Sequence, residues 1–168
     1  MEYILGKNDT DIQVDTAEEC KRAIISMLQQ AQHNIDIFTQ DLEPAIYNNN
    51  SVEQAILHLA KRQKNTRVRI LVQDSKKSIQ HGHCLIRLAQ QLTSSVFIHT
   101  PSLTHKNEQS AFLVVDRMGL VYRALATDRN YEANINFRSP RMATRQMDLF
   151  DDIWEHSTPD MQTRRVHI

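Results

Sequence analysis

Residues 109–124 read QSAFLVVDRMGLVYRA. Within it, Ala111-Phe112-Leu113-Val114-Val115 is a nearly continuous apolar run, the pattern of a central strand covered on both faces. Asp116 to Gly119 supplies a turn, and Leu120-Val121-Tyr122-Arg123-Ala124 is the pattern of a strand that pairs back as a hairpin. A strand buried on both faces needs helices above and below it.

Working upstream, Val96-Phe97-Ile98 is a short strand, preceded by a helix that follows Gly82 and carries Leu85, Leu88, Ala89 and Leu92 on one side. Arg67 to Val72 is a strand, and before it Ser51 with Gln54 is placed to cap a helix bearing Val52, Ile56, Leu59 and Ala60. Asn34 to Thr39 is a β-rich run. Thr16 with Glu19 is a capping box that opens a helix with Cys20, Ile24, Met27, Leu28 and Ala31 at helical spacing. Downstream, Ala133 to Phe137 is a weaker strand. Ser139-Pro140 then starts a helix carrying Met142, Gln146, Leu149, Phe150, Ile153 and Trp154, with Met147 beside them. The order α-β-α-β-α-β-β-β-β-α predicts an α/β fold: a mixed, partly parallel sheet with helices on both faces. Residues 1–33 form an N-terminal segment and first helix of the same domain, 34–157 the core, and 158–168 a C-terminal tail in this reading, with Arg164 to Ile168 a frayed end or a short added strand.

The whole chain is 168 residues, the size of one domain. Twenty Lys+Arg against twenty Asp+Glu give a formal net charge of zero, with eight His in addition. That balance argues against a protein that lives on nucleic-acid charge, while leaving room for a local basic stripe. An apolar content of 40% with 24% charged residues is that of a soluble globule. No apolar run approaches the roughly 18 residues of a membrane span, and the start MEYILGKNDTD lacks the layout of a secretory signal. Cys20 and Cys84 fall in helix-like segments without a partner pattern, so reduced thiols and a cytoplasmic location are expected.

The run from Asn34 to Glu155 resembles one half of the phospholipase D superfamily. HNIDIFTQDL is similar to its first core strand, SVEQAILHLAKRQKNTRVRILVQDS to its helix and second strand, and HCLIRLAQQLTSSVFIHTP to the following helix and strand. QSAFLVVDRMGLVYRA stands where the family has its H-x-K-x4-D strand and hairpin, and RQMDLFDDIWEHS is similar to its closing helix. The resemblance implies chemistry in which a His attacks phosphorus, a Lys two residues on holds the phosphate oxygens from the same strand face, and an Asp follows. Two such motifs meet at a twofold axis, one His forming the covalent intermediate and the other acting as general acid. With Asp116 on the motif Asp, the His position is Gln109 and the Lys position Ala111. Glutamine's amide nitrogen is not basic, and alanine carries no charge. No H-x-K occurs in the chain, and His105-Lys106 are adjacent residues that point to opposite strand faces. Of ALATDRNYEANINF, only Asn134 is similar to a later Asn of the family.

Other groups remain. His81, His83 and Cys84 are potential zinc ligands in four residues, but no second ligand pair accompanies them, so no metal or other cofactor is implied. Ligands in open α/β sheets bind beyond the carboxyl ends of parallel strands. Gln40, Asp41, Asp74 and His83 are therefore a candidate cleft, to which Asn134 is added, with Gln109 and Asp116 nearby in the family's geometry. The plainer reading is that Asp and Ser there start turns and cap helices. Lys61, Arg62, Lys64, Arg67 and Arg69 form one basic group, and Arg123, Arg129, Arg138, Arg141 and Arg145 another. Three functions follow from these features. The first is a catalytically degenerate module that binds a partner or a small polar or phosphate-containing ligand. The second is a hydrolase of altered mechanism using His83 with Asp41 or Asp74. The third is a nucleic-acid-associated protein using the Arg-rich side. A homodimer through the edge near Asp116 and the hairpin is expected by analogy with family members that carry one motif per chain.

Overall fold

Thr16 opens the first helix as its pattern demands: its Oγ1 accepts the Glu19 N–H at 3.1 Å and donates to the Glu19 carboxylate at 2.8 Å. In the computed structural model, which describes residues 2–62 and 64–164, this helix is α1 (Ala17–Gln29). It follows a three-residue strand, β1 (Ile12–Val14). The chain continues through β2 (Asn34–Thr39), α2 (Pro44–Tyr47), α3 (Asn50–Arg62), β3 (Arg67–Val72), α4 (Lys76–His81) and α5 (Cys84–Gln91). Then come β4 (Val96–Thr100), β5 (Ala111–Val115), β6 (Gly119–Arg123), β7 (Ala133–Asn136), α6 (Pro140–Glu155), β8 (Thr158–Pro159) and α7 (Met161–Arg164).

The eight strands make one sheet in the order β1-β7-β6-β5-β2-β3-β4-β8. β2, β3 and β4 run parallel, and every other pairing is antiparallel. The sheet is thus mixed and partly parallel, with helices on both faces. Alternation along the strands divides two cores. Ile35, Ile37, Val68, Ile70, Leu113 and Val115 pack with α1, α2, α3 and α5. Phe38, Leu71, Phe112, Val114 and Leu120 pack under Ala143, Met147, Phe150 and Ile153 of α6. The α6 face also buries an ion pair. Arg69 Nε meets Asp36 Oδ1 at 2.8 Å, its Nη2 reaches Asp151, and its guanidinium lies over the Phe150 and Trp154 rings. Burial pushes the Asp36 carboxyl up, against the pull of Arg69.

Three local expectations change. Ser51 does not cap α3; the Asn49 side chain accepts the Val52 N–H at 2.9 Å. Ser139 makes no side-chain cap bond to α6, which starts instead on Pro140 with its preset φ. The segment read as a tail from residue 158 pairs β8 with β4 and packs α7 against α5; of the Arg164–Ile168 end, residues 165–168 lie outside the described residues. No described helix is long and apolar enough to cross a membrane.

The turn between β5 and β6 positions everything that follows. Asp116 and Arg117 have φ of 53° and 54°, as a two-residue type I′ hairpin requires. The Met118 N–H closes the turn on the Val115 carbonyl at 3.0 Å. From this turn the Asp116 carboxylate accepts three backbone N–H groups, those of Gln32, His33 and Asn34, at 2.8–2.9 Å. It thereby ties the hairpin to the entry of β2. Replacing Asp116 with Ala strands three donors and leaves at positive φ a side chain that can make no local hydrogen bond. Urea unfolding should show a loss of about 2–3 kcal/mol for Asp116→Ala and a smaller loss for Asp116→Asn. A loss under about 0.5 kcal/mol, the range of an ordinary surface change, would contradict the clamp.

Candidate functional site

Strand β5 separates the residues that the sequence placed together. Gln109 is exposed just before the strand, where its carbonyl accepts the Ala126 N–H at 2.9 Å. Ala111 is buried as the first strand residue, opposite Arg123 of β6. Asp116 lies beyond the other end. Seven extended residues span roughly 20 Å, so Asp116 does not line a cleft with Gln109. That expectation is corrected: the carboxylate is a backbone acceptor at the far end of the hairpin.

Around Ala111 the dominant group is Arg123, which is 97% buried by its 3% relative exposure. It shares a sheet face with Val121, a cation on an otherwise apolar side. Its Nη1 pairs with Glu43, and its Nη2 donates to the carbonyls of Thr127 at 3.2 Å and Asn130 at 2.8 Å. The guanidinium also lies 4.8 Å from the centre of the Tyr131 ring. Burial pulls the Arg123 pKa down from the usual arginine range. Glu43 and its neighbour Leu42 hold φ of 38° and 69°, a left-handed pair without glycine. Leu42 is fully buried there, and its N–H is held by Thr39 Oγ1 at 3.1 Å. The space between Glu43, Ala111, Arg123 and the core is a cavity of about 10 Å³. That is no more than one water-sized probe.

The strand-end polar groups are largely spent on the backbone. Gln40 Nε2 donates to the carbonyls of Glu108 and Ser110 at 2.9 and 2.8 Å. Gln73 Nε2 donates to those of His105 and Glu108 at 2.9 and 3.3 Å. These two amides staple the segment leading into β5 across the carboxyl ends of β2 and β3. Asp41 Oδ1 accepts the Glu43 N–H and Asp74 Oδ1 the Lys76 N–H, both at 3.0 Å, each starting a turn. Burial raises the Asp41 pKa, with Lys77 and Arg123 opposing it. His83 begins α5: its Nδ1 accepts the Leu85 N–H at 3.1 Å, which leaves Nε2–H to donate to the Leu42 carbonyl at 2.9 Å. Burial lowers its pKa to about 4.

Gln40 and Gln109 therefore share one end of the sheet with Asp41, Asp74 and His83, while Asp116 and Asn134 are elsewhere. Asn134 is an exposed residue of β7, three strands from β2, between Gln13 and Tyr122 in register. It borders an open concavity of about 780 Å³ with Asp15, Glu19 and Glu132. Its carboxylates make that concavity a poor place for phosphate. The His81–Cys84 group does not converge, since the Cys84 thiol turns to the Tyr47 carbonyl at 3.1 Å. Among the described residues, no three His, Cys, Asp or Glu side chains are arranged to hold a metal. From the sequence Gln73 was only a polar residue at a strand end and Arg123 only a member of a basic group; the Arg123–Glu43 pair and the Gln73 staple were not foreseen. Arg123 had a signal in its in-register place among apolar residues of a hairpin strand, and Glu43 had none.

Comparison with solved structures gives the same fold in phospholipase D family members. Nuc from Salmonella typhimurium superposes with a TM-score of 0.64 at 15% identity, covering 90% of this chain and 97% of that one. NucT from Helicobacter pylori gives 0.61 at 12%, covering 90% and 99%. The archaeal chromatin protein TrmBL2 gives 0.65 at 18%, covering 89% of this chain and 54% of that one. Comparison with curated proteins gives no match. The fold is thus phospholipase D-like, and since residues 16–166 match the family described as Domain of unknown function (DUF7931), the chain belongs to that family.

Proposed function

We propose that the chain is a catalytically degenerate phospholipase D-like module that binds a partner or ligand and does not cleave phosphodiesters. The observation that carries this reading is the filled space beside Ala111, the first residue of β5. By the sequence resemblance Gln109 and Ala111 take the motif's His and Lys positions, and the Arg123 guanidinium beside Ala111 is committed to Glu43 and two carbonyls. An amide nitrogen cannot attack phosphorus, because its lone pair is delocalised. A cation already paired with a carboxylate is a weak clamp for a second anion. The neighbouring cavity of about 10 Å³ has no room for a phosphodiester.

Hydrolysis through His83 finds no support in its geometry. A general base needs a free nitrogen within reach of the proton it takes. Both nitrogens of His83 already serve the backbone. A second reading, association with nucleic acid, is favoured by the likeness to TrmBL2, a chromatin protein that binds DNA. Lys61, Lys64 and Arg67 are exposed near one end of the sheet and make no ion pair among the described residues.

Two experiments separate these readings. Purified protein incubated with bis(4-nitrophenyl) phosphate should release nitrophenol no faster than buffer, and a labelled DNA duplex should show no anisotropy change at low salt. Turnover that coelutes with the protein would refute the degenerate reading. Duplex binding with a steep salt dependence would favour the second. The His83 geometry has its own consequence for pH. A histidine whose folded pKa, about 4, lies below its ordinary 6.5 contributes stability that is complete above pH 6.5 and is lost as pH falls toward 4. By pH 5 that loss is about 2 kcal/mol. Urea unfolding of His83→Asn, which keeps a cap acceptor, should show a correspondingly shallower decline with acid. Equal declines in both proteins would contradict a buried neutral His83.

A further inference from the structure

The outer face of α6 carries charges in an order that a lone helix disfavours. Arg141, Arg145, Asp148, Asp152 and Glu155 are spaced 4, 3, 4 and 3 apart. At about 100° per residue this puts them within one narrow stripe. The stripe lies opposite the buried Ala143, Met147, Phe150 and Ile153, and all five of its residues are exposed. Its first half is basic and its second half acidic. That order runs against the helix dipole, which favours acids at the start and bases at the end; the first turn of α6 holds no acid and the last turn no base. Neighbours along the stripe repel as well, Arg141 with Arg145 and Asp148 with Asp152, both four residues apart. Within the described residues Arg141, Arg145, Asp148 and Glu155 make no hydrogen bond or ion pair. Asp152 meets His105 Nε2 at 3.3 Å and His156 Nδ1 at 3.8 Å.

An antiparallel copy of the same stripe converts each of these mismatches into a match. With the twofold axis between Gln146 and Met147, Arg141 faces Asp152 of the second copy and Arg145 faces its Asp148. The axis repeats both pairs. Met142, 44% exposed, and the partly buried Leu149 flank the stripe seven residues apart and offer apolar contact beside the charges. We infer that α6 is a self-complementary docking face whose occupant is a second copy of this chain, seated antiparallel. This is a different surface from the hairpin edge expected from the sequence, where the Asp116 carboxylate is turned to the backbone. It does not depend on whether the amino end of β5 binds a ligand. Exposed ion pairs give modest affinity and strong salt dependence, so the dimer is a weak, ionic-strength-sensitive one.

Sedimentation equilibrium of the full chain tests this. The apparent dissociation constant should rise at least about tenfold between about 50 mM and about 500 mM NaCl, as screening lengths shorten. The double variant Arg141→Glu with Arg145→Glu should be monomeric with an unchanged far-UV spectrum, as should Asp148→Lys with Asp152→Lys. Mixing the two variants should restore a dimer, because the reversed stripes complement each other. A wild-type monomer at low salt, a dimer indifferent to the Arg141/Arg145 reversal, or two folded variants that fail to associate would each overturn the inference.

Discussion

A single carboxylate pins the β5–β6 hairpin to the entry of β2, beside the ladder that joins β2 to β5. Asp116 accepts three consecutive backbone N–H groups at the entry of β2 while sitting in the tight turn between β5 and β6. β2 is the strand on which the topology turns, since it pairs in parallel with β3 on one side and antiparallel with β5 on the other. A slip of one residue between β2 and β5 would exchange the apolar sets that face α1 and α6. The carboxylate fixes that register from the end where the ladder begins. Arg123, Glu43 and the stapling glutamines then fall where they do because β5 and β6 are held at that offset.

The two ends of β5 carry different burdens. At the Asp116 end the requirement is geometric: a short acceptor side chain in a turn with positive φ. At the Gln109 end, phosphodiester chemistry would require a basic imidazole and a free cation in an open space. The side chains present are an amide, a methyl group and a guanidinium already bound to Glu43. On the proposed reading, the demands of folding have kept the first end, while the second has been released to other uses. The left-handed backbone at Leu42 and Glu43 accompanies the placement of the Glu43 carboxylate on Arg123, beside Ala111.

What was legible in the sequence follows the range of the interactions involved. The apolar run Ala111–Val115, the Thr16–Glu19 box and the Pro140 start of α6 are local signals, and each is found where its pattern put it. The edge strands Ile12–Val14 and Thr158–Pro159 are three and two residues long and exist through pairing with β7 and β4, so their own residues say little. Among Asn48, Asn49, Asn50 and Ser51 several side chains are fit to cap α3, and tertiary context selected Asn49. Of the candidate site, the sequence showed positions along β5 and polar groups at the ends of β2 and β3. Which groups occupy the space beside Ala111 depends on Glu43 meeting Arg123 across eighty residues of chain. Likewise His83 was visible as a polar group near a strand end, but the loss of both its nitrogens to Leu42 and Leu85 needed the folded backbone.

The most direct measurement of the central claim is a crystal structure of the protein grown with tungstate, an electron-dense phosphate mimic. The account predicts an intact Arg123–Glu43 pair and no anion beside Gln109 and Ala111. Tungstate bound to the Arg123 guanidinium, with Glu43 swung away and the Leu42–Glu43 backbone relaxed, would contradict it.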